Sequence, residues 1–226
     1  MFELKTRLIS MLISIPSILI AITFHEFAHG YAAYKAGDPT ARSFGRLSLN
    51  PLKHLDPLGA LSMLLLGFGW AKPVPINTRH FKKPRRDMAI VALAGPLTNI
   101  LLGFVGMLIT RILMAVLTVS TQNSANFAGF GFTVGTTAIL FFSLFTQLNI
   151  SFAVFNLLPV PPLDGSRLLM LFLPPRAQMW VWKNERYITL VLFVLLWFNF
   201  LDLPLSFLTG SLYTGMSFLI DLIPFL

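Results

Sequence analysis

From Leu8 to Ala36 the chain is almost wholly apolar, yet His25, Glu26 and His29, three ionisable side chains within five residues, lie in the middle of that run. The run is long enough for a membrane span, which takes about 20 mostly apolar residues at about 1.5 Å each. An acidic side chain at the centre of such a helix costs roughly 2.5–3.5 kcal/mol. A chain that keeps one there has to supply a partner or a wet cavity. The run is too long for a signal-peptide core and lacks a small-residue cleavage site, so it reads as a retained span. Gly37, Asp38 and Pro39 end it, because Gly frees the backbone and Pro cannot continue a helix.

The rest of the 226 residues fits the same solvent: 55% are hydrophobic and only 12% charged. Soluble domains carry about 25% charged residues. The composition therefore selects an all-α polytopic membrane protein with no room for a separate soluble domain. Disulfides and thiolate metal sites are excluded, since there is no cysteine. The net charge of +8 lies between apolar runs, where retention of loops on the cytoplasmic side explains it better than nucleic acid does.

About five to six transmembrane or re-entrant helices are expected. After the first span comes a polar stretch, 40–56, and then an apolar piece, 57–70, short enough to be re-entrant. The segment 71–87 is strongly basic, and its Lys72-Pro-Val-Pro-Ile-Asn77 favours extended backbone. Spans follow at 88–119 and 138–158, separated by an uncharged loop of small residues, 120–137. Prolines 159, 161 and 162 break the second of these, and a short helix is expected from Asp164 to Leu173. Apolar segments at 187–201 and 205–226 complete the chain. One domain, 1–226, is expected, with a catalytic core over about 8–173 and added helices over about 178–226. Ten Lys or Arg lie between Lys35 and Arg86, and none between Ser120 and Thr137. That asymmetry predicts cytoplasmic basic loops and an outside N-terminus.

His25-Glu-Phe-Ala-His29 places two imidazoles one helical turn apart on one face, within reach of one ion. Zinc accepts nitrogen and oxygen donors tetrahedrally and keeps one position open in catalytic sites. Glu26, next to a ligand, is positioned as a base for water. The competing reading is a chance match with both histidines as buried hydrogen-bond partners. A third ligand has to come from elsewhere, since the position ten residues after His25 is Lys35. Asp164, at the broken end of a span, reads equally by spacing as a ligand or as an N-cap.

Four blocks now resemble the site-2 protease family of intramembrane zinc metalloproteases, in its compact form without a PDZ domain. They are His25 to His29, Asn50-Pro-Leu-Lys-His-Leu-Asp-Pro-Leu-Gly59, Ala94-Gly-Pro-Leu-Thr-Asn99, and Asn156-Leu-Leu-Pro-Val-Pro-Pro-Leu-Asp-Gly165. The resemblance implies one zinc per chain on His25, His29 and Asp164, with Glu26 as general base. It implies that Asn99 holds substrate or the developing oxyanion, and that Asn156, Pro159 and Pro161 contact substrate. Asn99 alternatively bonds between helices, and the prolines alternatively only kink. His54 is either an outer partner of a ligand or a brace for a hairpin with Asp56. His80 is expected to be solvated, and Trp70, Trp180 and Trp182 to be interfacial anchors.

The function this implies is cleavage of peptide bonds in or near transmembrane segments of membrane-protein substrates, with the site towards the cytoplasm of the cell membrane. An unwound substrate would pair with 69–77 as an added strand. The rivals are an inactive relative that only binds membrane helices, a different membrane zincin, and a metal transporter. The transporter is disfavoured by the absence of repeats.

Overall fold

The computed structural model describes residues 2–59, 71–123 and 130–223. Its helices are α1 (Phe2–Lys35), α2 (Thr40–Ser43), α3 (Pro84–Asn123), α4 (Phe130–Asn156), α5 (Asp164–Phe172), α6 (Pro175–Trp197) and α7 (Asp202–Asp221). Among the described residues, four stretches are long and apolar enough to cross a membrane: Leu12–Lys35, Pro84–Thr121, Gly131–Asn156 and Asp202–Asp221. The chain is an integral membrane protein by that measure. α3, with 40 residues, is about 60 Å long, twice the hydrocarbon thickness, so it tilts or extends beyond it.

Contacts fix the packing. On α1 and α3, His25 meets Asn99 and His29 meets Val91, so the two helices run antiparallel. On α3 and α4, a Cβ on Gly103 would meet Ile150 and one on Gly106 would meet Phe145, again antiparallel. Those glycines let the backbones approach closely, the usual means of holding helices together where lipid offers no hydrophobic drive. Met107, Ile150, Val154, Met216 and Ile220 form an apolar core that joins α7 to this pair. A second cluster, Ala33, Phe81 and Val91, closes the end of α1 against α3.

The first span ends as expected. Gly37 has φ 109°, and the Asp38 amide donates to the Ala33 carbonyl, closing the last turn. Asp38 is buried in the turn that follows. It accepts from the amides of Thr40 (3.0 Å) and Asn77 (2.6 Å), the Thr40 hydroxyl, and His80 Nδ1 (3.1 Å). Burial pushes its pKa up, but these donors outweigh burial and hold it below the ordinary value. His80 is therefore half-exposed but bonded, where the sequence suggested plain solvation.

Three other expectations change. The uncharged 120–137 is not one loop: α3 continues to Asn123 and α4 begins at Phe130, with 124–129 outside the described residues. Its small hydroxyl residues are accommodated in the helices by bonding back one turn, Thr121 to Leu117 and Thr136 to Phe132. The segment 187–201 lies mostly in α6, which is not among the four candidate spans. Its first half carries Arg176, Lys183, Glu185 and Arg186, leaving too short an apolar stretch. No β-strand forms among the described residues; an isolated antiparallel bridge, Leu55 to Ala71, stands where an extended element was expected. Trp70 and most of the expected re-entrant piece, 60–70, lie outside the described residues.

Candidate active site

His25 and His29 lie on one face of α1, and Asp164 enters from the first turn of α5. Their donor atoms close on one point. His25 Nε2, His29 Nε2 and Asp164 Oδ2 are mutually 3.0 Å apart, and all three residues are buried. Asp164 does not cap its helix: Leu163 is the cap residue, no side chain bonds the free amides, and the carboxylate turns to the histidines instead. The turn that delivers it needs Gly165, since a Cβ there would run into the Leu157 and Leu158 carbonyls. The Ser166 hydroxyl also ties that turn, donating to the Leu163 carbonyl at 2.6 Å.

What the three atoms demand follows from the other side of each ring. His29 Nδ1 faces the Val91 carbonyl at 2.7 Å, so Nδ1 carries a proton and the neutral ring presents a lone pair at Nε2. His25 Nδ1 faces Asn99 Oδ1 at 2.6 Å. The Asn99 amide has its orientation fixed independently. Its Nδ2 donates to the Ala21 carbonyl (3.1 Å) and to Asn149 Oδ1 (2.8 Å), while Asn149 Nδ2 donates to the Phe145 carbonyl (2.8 Å). Two backbone carbonyls thus make Asn99 present oxygen to His25, and His25 Nε2 is also a lone pair. Two imidazole lone pairs and a carboxylate oxygen, 3.0 Å apart and out of water, repel one another unless a cation joins them. Two imidazoles and a carboxylate are a donor set of catalytic zinc, so the residues present fit the ion.

Gly95 makes room for this. A Cβ at that position of α3 would lie 2.6 Å from His25 Cε1 and 2.7 Å from its Nε2, and would press on His29 as well.

Glu26 is held from a different direction. Its Oε2 accepts the Val74 amide at 2.9 Å, so the proline-flanked backbone 72–77 crosses beside the base as a strap. The strap is tied down along its length: the Lys72 amide donates to the His54 carbonyl (2.9 Å), and the Asn77 amide to Asp38. Arg46 donates to the carbonyls of Lys53, Lys72 and Pro73. With those amides turned inward, and with Pro73 and Pro75 lacking N–H groups, this backbone has little to offer an added substrate strand. It serves the base instead.

The other expected residues fall around this centre. Asn99 has both amide hydrogens engaged, so in this structure it orients His25 and has no free donor for an oxyanion. The Asn156 amide donates back to Phe152 O at 2.9 Å; Pro159 is exposed at the break and Pro161 is buried in it. His54 is buried and bonds Ser48 O through Nε2 at 2.7 Å, bracing the loop. Asp56 does not pair with it but accepts from the amides of Leu58 and Gly59. Sequence reasoning assigned no role to Gly95, Val74 or Asn149. Asn149, a polar residue inside an apolar run, was the one with a visible signal.

The family model described as Peptidase family M50 matches residues 13–199. The chain belongs to this family, the site-2 proteases. It is a zinc metalloprotease with a buried His25, His29 and Asp164 centre. It is 43% identical to YwhC of Bacillus subtilis (strain 168), which carries a zinc-metalloprotease name, over 79% of this chain and 78% of that one. It is 29% identical to Rip2 of Mycolicibacterium smegmatis (strain ATCC 700084 / mc(2)155), also named for that activity, over 79% of this chain. It is 30% identical to Rip2 of Mycobacterium tuberculosis (strain ATCC 25618 / H37Rv) over 78% of this chain. The match spans 64% and 63% of the two Rip2 chains. No solved structure matches the chain.

Proposed function

We propose that this M50 protease hydrolyses peptide bonds in or near transmembrane segments of membrane-protein substrates. The observation that supports the reading is the placement of the ligand cluster. It is buried, its ligands come from α1 and α5, and α3 backs both histidines; α1 and α3 carry candidate membrane spans. A peptide reaching it comes from within or just beside the lipid layer, where a helical substrate has to unwind before its carbonyl is open to attack. Zinc bound at the cluster supplies Lewis acidity that makes water reactive at neutral pH. Glu26, fixed by the Val74 amide, takes the proton of the attacking water and delivers it to the leaving amine. Asn99 keeps His25 in the tautomer that faces the metal. The broken segment at Asn156, Pro159 and Pro161 is the non-helical backbone beside which substrate enters.

Co-expression of single-span substrates with wild type and Glu26→Gln tests this. The variant keeps its zinc and loses cleavage; turnover at the wild-type rate would sink the role of Glu26. The inactive-relative reading predicts no cleavage by either form, and a transporter predicts metal flux into vesicles.

We further propose a cell-membrane location with the segments 36–56 and 71–83, and so the Glu26 side of the site, facing the cytoplasm. The basic residues of those segments support this. Because the chain has no cysteine, single cysteines placed at Ser43 or Ser48 report the side directly. Labelling of intact cells by an impermeant maleimide would refute the orientation.

A further inference from the structure

The loop that ties down the strap carries a second site, which the protease chemistry does not use. An open pocket of about 260 Å³ lies on it, lined by Arg46, Lys53 and Lys72 together with Phe44, Gly45 and Leu52. None of the three cations has a carboxylate partner among the described residues; the ion pairs formed there are made by other groups. The Arg46 Nη groups and Lys53 Nζ reach only neutral carbonyls, Lys53 bonding Gly45 O at 3.0 Å. Arg46 Nε is buried and has no acceptor among the described residues. Three like charges around one pocket leave an uncompensated positive field. A bound anion is what relieves it.

The rim narrows the choice of anion. Phe44 is 71% exposed and Leu52 76% exposed, and both line the pocket with the cations. Large apolar groups left in the open beside a cationic pocket suit a ligand with a charged head and an apolar tail. The loop leaves α1 directly after a candidate span, which puts it at the level of the lipid headgroups.

We propose that Arg46, Lys53 and Lys72 bind the phosphate of an anionic phospholipid, with Phe44 and Leu52 resting in the acyl boundary. Because Arg46 also holds Lys72 and Pro73, a headgroup in this pocket sits one step from the backbone that positions Glu26.

The test is titration of the purified full chain in uncharged detergent with phosphatidylglycerol, phosphatidylcholine or inorganic phosphate, read by native mass spectrometry. Wild type is expected to bind one phosphatidylglycerol at least fivefold more tightly than phosphatidylcholine. A cation near the headgroups is worth about 1 kcal/mol, or about fivefold. Lys53→Gln/Lys72→Gln should therefore weaken phosphatidylglycerol binding on the order of twenty-fold, and Lys53→Arg/Lys72→Arg should restore it. Phe44→Ser/Leu52→Ser should weaken binding of the lipid without affecting inorganic phosphate. Equal binding by wild type and the glutamine variant, or no preference over phosphatidylcholine, would overturn the site. Inorganic phosphate binding as tightly as the lipid, unmoved by the serine changes, would overturn the lipid assignment in favour of a free phosphate.

Discussion

The two histidine ligands and the general base are neighbours in sequence but are held by different regions. His25, His29 and Asp164 are fixed by regular helices through buried bonds that run from α1 across α3 to α4. Glu26 is fixed by a single amide from irregular backbone, itself secured by Arg46, the His54 carbonyl and Asp38. Helices in lipid satisfy their own backbone, so only side chains and deliberate gaps such as Gly95 are left to shape a metal site. The strap is not helical, so its N–H groups are open to side chains: Val74 donates to the Glu26 carboxylate and Asn77 to that of Asp38. Damage to the first region should appear as lost zinc, and damage to the second as lost turnover with zinc in place.

The largest effect that would sharpen this contrast is expected at Gly95. Alanine improves helix propensity by about 1 kcal/mol, yet its Cβ collides with His25 at the metal-facing nitrogen. Gly95→Ala should stay helical by circular dichroism and purify without zinc; a full zinc complement would break the picture. Next comes Asn99→Ala, which frees His25 to turn and leaves Asn149 and the Ala21 carbonyl short of a donor. Loss of such an outer partner typically costs 10- to 100-fold in metal affinity, measurable by competition with a chelator.

Val74 probes the other region. Prolines already flank Val74 and favour extended backbone there, so Val74→Pro removes the N–H while keeping the segment extended. We expect kcat to fall on the order of tenfold, the scale of a lost hydrogen bond to a charged group, with zinc content and KM unchanged. Val74→Ala, which keeps the N–H, should behave as wild type. Zinc loss in the proline variant would show that the two regions are one unit.

The smallest effect is set by pH. Asp38 has a folded pKa below its unfolded value, so its contribution to stability is full above the ordinary aspartate range, about pH 3.9. That contribution is lost as pH falls through the depressed folded value. The difference in thermal midpoint between wild type and Asp38→Asn should therefore narrow in strong acid and hold steady near neutrality. A constant gap would remove Asp38 as the anchor of the strap.

Much of the metal centre was legible in the residues because its pieces are local. A four-residue spacing on a helix puts two imidazoles on one face whatever surrounds them, and the cost of charge in lipid requires a partner for them. The end of α1 at Gly37 and the short helix from Asp164 were equally local. The alternatives that spacing left open were settled by contacts: Asp164 turns to the histidines and not to its helix amides, and Asn99 spends both hydrogens inside the bundle. Polarity misled between 120 and 137 because a hydroxyl that can bond its own helix carries no stop signal.

The sequence by itself determined the solvent, the helical class and the pair of imidazoles with an acid between them. These follow from hydropathy and the 3.6-residue turn, which act over short stretches of chain. Only the tertiary structure decided which atoms of His25 and His29 face the metal, why Gly95 has no side chain, and what holds Glu26. Each of those depends on a hydrogen bond or a close approach between segments far apart in the chain, and no local pattern encodes such a distance.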